Sequence, residues 1–271
     1  MEVDTHVAPK GGRETRKIIP EGDAYIKMLT QLVLLDSNRL EEGARFSTTL
    51  AEQVHSQNRR TLDQVGAKIL FYYSRFYELL GSLADARPYA PPLFPPKLIN
   101  IRFMLAALRT AALHCDTDTQ GTLLTLLLRN FIHYKLYDQA DKLVSRTTFP
   151  ESSGNNLLAR YLYYLGRIRA IQLDYSTAHA NLLTASRKAP QQNRAAAGFL
   201  QTVHKFLVVV ELLMGDIPER ALFRRPMLEK VLAPYAQIVQ GSSQPLVVKF
   251  TYACSGANRR FEYFQYDNVN P

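Results

Sequence analysis

The 271-residue sequence has no tryptophan and only two cysteines, Cys115 and Cys254. Two cysteines cannot build the disulfide framework of a small secreted domain, and they suit a reducing compartment. No apolar run reaches the roughly 18 residues needed to cross a bilayer. The best candidate, residues 206–214, is short and contains Glu211, and the first twenty residues lack the apolar core of a signal peptide. We therefore expect a soluble cytoplasmic and nuclear protein without a membrane partner.

Motifs that carry out chemistry are also missing. The sequence contains no glycine-rich phosphate loop, no GxSxG and no HExxH. No two histidines stand three or four residues apart, the spacing that puts two metal ligands on one helix face. The histidines are His6, His55, His114, His133, His179 and His204. We predict that the protein is not an enzyme and has no catalytic residue, cofactor, metal or small-molecule substrate.

Individual ionisable residues have structural interpretations instead. His133 and His204 fall on apolar helices, so we predict that they are core or edge residues. Asp116 or Asp118 follows a predicted helix end and is expected to cap the next helix. Three single carboxylates have no partner that the sequence reveals: Asp63, Glu78 and Glu211.

The charge balance is basic, with a net charge of +9 at pH 7. The basic residues are scattered among acids and form no long block. One segment combines three arginines with three tyrosines, which could stack nucleic-acid bases: Arg160, Arg167, Arg169, Tyr161, Tyr163 and Tyr164. In a stack of helices the tyrosines would instead pack between repeats and the arginines would face solvent on the outer side. We adopt that interpretation and do not predict nucleic-acid binding, with an RNA-binding helical-repeat protein as the alternative.

Helical periodicity is what the chain has in abundance, most clearly in residues 156–190. Leu162, Leu165 and Gly166 would lie in a first helix, and Ala178, Leu182 and Ala185 in a second that Pro190 ends. Small residues at Gly166 and Ala178 allow the two helices to cross closely. This is the pattern of a tetratricopeptide hairpin, whose repeats are about 34 residues long. One hairpin cannot bury its apolar face alone, so neighbours must stack on it.

The predicted fold is all-α, a tetratricopeptide-like superhelix of about five antiparallel helix pairs with disordered or irregular termini. The predicted pairs are residues 24–35 with a helix carrying Leu40, Ala44, Ala51 and Val54; 61–80, stopped by Gly81, with 101–114; 122–134 with 137–144; the pair in 156–190; and 195–214 with 226–240. The predicted boundaries are a tail at 1–22, a solenoid at 23–240 and an irregular segment at 241–271. A proline-rich insert at 86–100 contains five prolines and should not be traversed by a helix.

Four segments carry a resemblance to a known family. Residues 123–151, 159–191 and 202–223 resemble the third non-ATPase subunit of the 26S proteasome regulatory particle, as does HSQNRRTLD at 55–63. The resemblance covers about residues 20–240. It implies a non-catalytic scaffold in the lid of the 19S regulatory particle, which supports ubiquitin-dependent protein degradation through contacts with other lid subunits. Subunits of the COP9 signalosome or of a translation-initiation complex share this architecture and are the alternative within the same class.

The sequence departs from that family at two places. The proline-rich insert interrupts a run that the family has as continuous, and the residues after about Gly241 resemble nothing in the family. Family members continue into a winged-helix PCI domain and a terminal helix. We hypothesise a truncated or alternatively spliced form, or a gene model that translates non-exonic sequence, and expect poor solubility. Sequencing the messenger RNA across both junctions tests this.

Overall fold

The computed structural model describes residues 19–57, 59–85, 96–150, 152–190 and 196–241, and within these ranges every regular element is helical. The helices are α1 Pro20–Asp36, α2 Leu40–Gln57, α3 Asp63–Asp85, α4 Pro96–Leu113, α5 Thr117–His133, α6 Tyr137–Arg146, α7 Asn155–Ile171, α8 Tyr175–Lys188, α9 Ala197–Met214, α10 Arg220–Phe223 and α11 Glu229–Gly241. A 3₁₀ turn at Arg60–Leu62 precedes α3. The predicted all-α class is confirmed.

The helices are arranged as a succession of pairs. α1 packs on α2, α3 on α4, α5 on α6 and α7 on α8, and α9 is followed by α10 and α11. The first helices of successive pairs also stack, since α1 contacts α3, α3 contacts α5 and α5 contacts α7. Each second helix in turn contacts the first helix of the next pair, as α2 does with α3 and α8 with α9. The prediction of a solenoid with about five pairs is confirmed.

The core runs through the stack as two main clusters. The larger one extends from α1 to α7, and α5 lies at its centre, with Leu123, Leu127 and Leu128 fully buried. This explains the nearly continuous leucine run of α5, since a helix between α3, α4 and α7 buries more than one face. The smaller cluster joins α7, α8 and α9 through Ala178, Leu182 and Val203.

Five helices end in the same way. After α7, the backbone N–H of Leu173 donates to the carbonyl oxygen of Ala170 at 3.2 Å, and that of Asp174 donates to Arg169 at 3.0 Å. This is the Schellman arrangement, which needs one residue with positive φ. That residue is Asn38 after α1 (φ 57°), Cys115 after α4 (55°), Lys135 after α5 (58°), Leu173 after α7 (69°) and Gly215 after α9 (91°). Only one of the five is glycine, so the sequence marks only one of these ends in the usual way.

Several predicted boundaries are wrong. α3 continues through Gly81 to Asp85, because glycine ends a helix only where the chain turns into the left-handed region, and Gly81 is buried inside the helix beside the Tyr134 hydroxyl. α4 begins at Pro96, so residues 96–100 of the predicted insert are helical; proline is tolerated at the first helical position. Residues 86–95 lie outside the described part. The last helix begins at Glu229, since Pro226 belongs to a turn.

The first helix overlaps the predicted N-terminal tail. α1 begins at Pro20, so residues 20–22 belong to the first helix and not to the predicted tail. Residues 1–18 and 242–271 lie outside the described part.

The expectation that no apolar segment is long enough to cross a bilayer is wrong for α9. This helix is 18 residues long and, by length and composition alone, apolar enough to cross a membrane. The helix meets this length and composition criterion although it contains Glu211. In the solenoid, α9 packs against α8 and α11 and buries Val203, Leu207 and Val210.

Candidate interaction surface

Glu78 on α3 joins two arginines on the stacked first helices. Its Oε2 accepts a hydrogen bond from Arg75 within α3 at 3.1 Å, and its Oε1 accepts one from Arg129 of α5 at 2.9 Å. The three side chains are between 19% and 27% exposed. Charge-assisted hydrogen bonds of this kind are stronger than neutral ones. Glu78 therefore ties α3 to α5 and leaves one guanidinium charge uncompensated at the surface.

Further arginines surround Tyr164 on the next first helix, α7. Burial raises the pKa of the Tyr164 hydroxyl, while the charges of Arg129, Arg160 and Arg167 lower it and Glu78 raises it. Three guanidinium groups and one carboxylate thus lie within electrostatic range of one hydroxyl. We call this set the arginine cluster: Arg75, Glu78, Arg129, Arg160, Tyr164 and Arg167. It spans α3, α5 and α7 and carries four positive charges against one negative charge.

Arg167 extends the cluster toward α9. Its guanidinium carbon lies 5.8 Å from the centre of the Tyr163 ring and 5.0 Å from that of Phe206. These are cation–π distances, in which the positive charge is attracted to the ring face. Its Nε is buried without a hydrogen-bond partner among the described residues. The prediction that the arginines of this segment solvate the outer face is therefore wrong for Arg167.

The tyrosine part of that prediction is confirmed. Tyr161 and Tyr163 are each only 7% exposed. Tyr161 stacks on Phe149 with ring centres 4.6 Å apart, and Tyr163 meets Phe199 and Phe206 edge-on. Both rings therefore pack between repeats.

Two carboxylates that look isolated in the sequence have partners in the fold. Glu78 holds its two arginines, and Oε1 of Glu211 on α9 lies 3.1 Å from Nε2 of His179 on α8. The partners are 51 residues away in the case of Arg129 and 32 residues away in the case of His179. Sequence spacing could not reveal them, because the pairs form between neighbouring helices of the stack. The arginine cluster was missed for the same reason.

The histidines and the predicted cap occupy structural positions. His204 is 6% exposed on α9, and His133 lies edge-on to Tyr134, as expected for core or edge residues. Asp116 caps α5, since its Oδ1 accepts from the backbone N–H of Thr119 at 3.1 Å. Within the described ranges, no group of three or more His, Cys, Asp or Glu side chains is arranged to hold a metal ion.

The chemistry of the arginine cluster is that of recognition. A guanidinium group keeps its charge and presents planar donors that match carboxylates and phosphates. The cluster lies on helices fixed by the core, so its donors are held in place before a partner arrives. It suits the binding of negatively charged groups on another molecule.

Comparison with known proteins gives a consistent picture. The family model described as PSMD3-like, N-terminal TPR repeats, matches residues 1–239. The probable 26S proteasome non-ATPase regulatory subunit 3 of Anopheles gambiae is 47% identical over 232 residues, which cover 86% of this chain and 44% of the relative. The probable 26S proteasome regulatory subunit rpn3 of Schizosaccharomyces pombe is 44% identical over 246 residues, covering 91% and 46%.

A third relative, the 26S proteasome non-ATPase regulatory subunit 3 of Dictyostelium discoideum, is 43% identical over 220 residues, covering 81% of this chain and 40% of the relative. The chain therefore spans less than half the length of these relatives. The match extends along nearly all of the helical stack and agrees with its paired helices. The chain belongs to the family of PSMD3-like proteins and carries the TPR repeats of their N-terminal part.

Proposed function

We propose that this chain acts as a non-catalytic scaffold of the proteasome lid and supports ubiquitin-dependent protein degradation by contacting other lid subunits. The observation that carries the proposal is the 47% identity over 86% of the chain to a protein named as a regulatory, non-ATPase subunit of the 26S proteasome. A helical stack acts through extended side surfaces, which is the usual role of such repeats. Such a scaffold would work in the cytoplasm and the nucleus, with proteins as its partners.

The arginine cluster is the surface that we assign to these contacts. Arginine is enriched at protein interfaces, and its charge favours a partner that presents carboxylates. The cluster joins three successive pairs, so a partner bound there would contact α3, α5 and α7 together. Such a contact would also stabilise the stack.

The test is purification of the tagged chain from cells, followed by identification of bound proteins. We expect lid subunits in the eluate, and we expect Arg160→Glu to reduce their recovery at least about fivefold, since reversing one charge at an interface costs more than about 1 kcal/mol. Arg109→Glu is the matched control, because Arg109 is exposed on α4 and outside the cluster. Equal recovery with both variants, at unchanged helicity, would exclude the cluster as the contact surface. Absence of lid subunits with the unmodified chain would contradict the scaffold function itself.

RNA binding is the second candidate, and the combination of Arg160 and Arg167 with Tyr164 favours it. Phosphate contacts release counterions, so the affinity for RNA would fall steeply as salt rises. A single-stranded RNA titrated at 50 and 200 mM salt distinguishes the two functions. A scaffold shows weak binding that lacks this steep dependence.

A further inference from the structure

The second helices α2 and α4 leave a groove between them, with the first half of α3 as its floor. Its volume is about 350 Å³. The walls come from the end of α2, the 3₁₀ turn, the second half of α4 and the α4–α5 connection. A volume of this size lies in the range of pockets that hold a small molecule or a long side chain.

The floor of the groove is apolar. Ile69 on the floor, and Leu62 and Ala107 at the adjoining base of the walls, are between 0% and 5% exposed. Gly66 adds depth, because it has no side chain, and a β-carbon there would stand 3.4 Å from Val54 Cγ1. The floor is therefore fixed by the core and suits an aliphatic chain.

One end of the groove is acidic. Asp63 starts α3, and Asp116 caps α5. The Thr119 hydroxyl donates to the backbone oxygen of Asp63 at 3.3 Å, which holds the two helix starts together. Burial raises the pKa of Asp63, and the charges of Asp116 and Asp118 raise it further. Like charges are thus held near one another in a partly buried place.

The surrounding cations compensate this charge only in part. Arg60 and His114 lower the pKa of Asp63. Arg59, at the rim of the groove, is 3.6 Å from Glu21 on α1. Within the described ranges, none of the three carboxylates of Asp63, Asp116 and Asp118 has a lysine or arginine nitrogen within ion-pair distance. The groove therefore attracts a cation at one end and apolar atoms along its floor.

We propose that this groove binds a lysine or arginine side chain presented by a partner protein, with the aliphatic stem on the floor and the charged end between Asp63 and Asp116. These are the side chains that combine an apolar stem with a cationic tip. An acidic side chain would meet like charge, and a purely apolar one would leave the carboxylates uncompensated. The site lies on the side of α2 and α4 and does not depend on which assembly the chain joins.

A small probe tests the chemistry directly. n-Hexylammonium has a six-carbon stem and a charged end, and 1-hexanol and hexanoate are its neutral and anionic counterparts. The readout is the methyl NMR signals of Ala51, Ala107 and Ala111 in the full chain. We expect saturable shifts with n-hexylammonium and about tenfold weaker binding of 1-hexanol, since a charge-assisted contact contributes at least about 1.4 kcal/mol. Equal binding of all three probes would overturn the proposal.

Matched variants test the carboxylates. Asp63→Asn with Asp116→Asn removes both charges, while asparagine still caps α5. We expect this double variant to bind n-hexylammonium about tenfold more weakly. Asp138→Asn is the control, because Asp138 is an exposed acid in the first turn of α6. Wild-type affinity in the double variant would overturn the role of Asp63 and Asp116.

The source of the side chain is tested separately. A peptide acetyl-Ala-Ala-Lys-Ala-Ala-amide should displace n-hexylammonium, and its norleucine counterpart should not. Failure of the lysine peptide to compete would overturn the assignment to a protein side chain.

The chain's own residues 10–17, KGGRETRK, are also basic and lie outside the described part. Deleting residues 1–18 should leave the affinity for n-hexylammonium unchanged. A clear gain in affinity would show that this segment competes for the groove, which would overturn the assignment to a partner.

Discussion

The backbone of Gly166 on α7 lies directly against the side chain of Leu182 on α8. A β-carbon on Gly166 would stand 2.8 Å from Leu182 Cγ and 3.3 Å from the backbone oxygen of Ala178. Leu182 and Ala178 are both fully buried. The two helices approach this closely because a hydrogen atom occupies the place of a side chain, and the leucine fills the space that remains.

Gly166→Ala is expected to lower the free energy of unfolding by up to about 2 kcal/mol. The added methyl group overpacks the crossing at a cost of about 1–3 kcal/mol, and the higher helix propensity of alanine offsets about 1 kcal/mol of it. The measurement is urea unfolding followed by circular dichroism at 222 nm.

The control for this prediction is Gly198→Ala on α9. A β-carbon on Gly198 would meet nothing within 4 Å. The same substitution should therefore stabilise the protein by about 0.5–1 kcal/mol through helix propensity alone. If both variants shift the unfolding midpoint in the same direction, the close approach of the helices at Gly166 does not determine how Gly166→Ala affects stability.

The left-handed turn residues give a second prediction. Leu173 has φ 69° and is 71% exposed, so it bears conformational strain and makes little packing contact. Leu173→Gly should raise the free energy of unfolding by about 0.5–1 kcal/mol, because glycine adopts this conformation without steric cost.

Gly215→Ala is the opposite substitution, since it places a β-carbon on a glycine in the left-handed conformation. Gly215 has φ 91°, and nothing lies within 4 Å of a β-carbon there, so its cost is purely conformational. We expect a loss of about 1 kcal/mol. Thermal unfolding of both variants against the unmodified chain checks the signs, and equal signs would show that the turn conformation does not govern stability.

The sequence predicted the number and order of the helix pairs, because each helix keeps apolar residues on the face that it buries. It also predicted the crossing at Gly166 and Ala178, where the small residues lie within one hairpin. Both features depend on residues close together in the chain. Local periodicity is sufficient to predict such features.

Features that depend on distant residues were not predicted. The close approach of α2 to α3 is one of them, since a side chain at Gly43 would overlap the ring of the buried Phe76 on α3. The link between Glu78 and Arg129 likewise forms only when α3 and α5 stack. Four of the five Schellman turns have a left-handed residue other than glycine, so glycine does not mark them in the sequence.

A double-mutant cycle on Glu78 and Arg129 measures how strongly their contact couples α3 to α5. Glu78→Gln alone should cost about 1–2 kcal/mol, since it removes one partner of a charge-assisted pair and leaves the arginines to repel one another. The cycle with Arg129→Met should give a coupling of about 1 kcal/mol.

The comparison pair is Arg39 with Glu42, whose side chains are each 59% exposed. Its coupling should be below about 0.5 kcal/mol, because solvent screens exposed pairs. High salt should weaken the exposed pair more than the pair at Glu78. A coupling at Glu78 no larger than the exposed one would exclude it as a tie between helices.

The buried His204 on α9 should make the stability of the protein depend on pH. Burial lowers the pKa of His204, and the charge of Arg225 lowers it further. The unfolded chain, with an ordinary histidine pKa of 6.5, therefore binds a proton at a pH where the folded chain does not. The free energy of unfolding contributed by this group is fully present above pH 6.5 and falls as the pH drops through and below that value toward the folded pKa.

Urea unfolding midpoints between pH 5 and pH 8 check this, with His204→Leu as the variant. Leucine cannot take up a proton, and it removes a buried Nδ1 that has no partner among the described residues. The difference in urea unfolding midpoint between the unmodified chain and His204→Leu should therefore be constant above about pH 6.5. At lower pH the unmodified chain should lose stability relative to the variant. Arg225→Met keeps His204 buried and removes only the charge of Arg225, which is the smaller cause of the lowered pKa. This variant should therefore lose only part of the acid sensitivity. An unchanged acid slope in His204→Leu would mean that other groups carry the response.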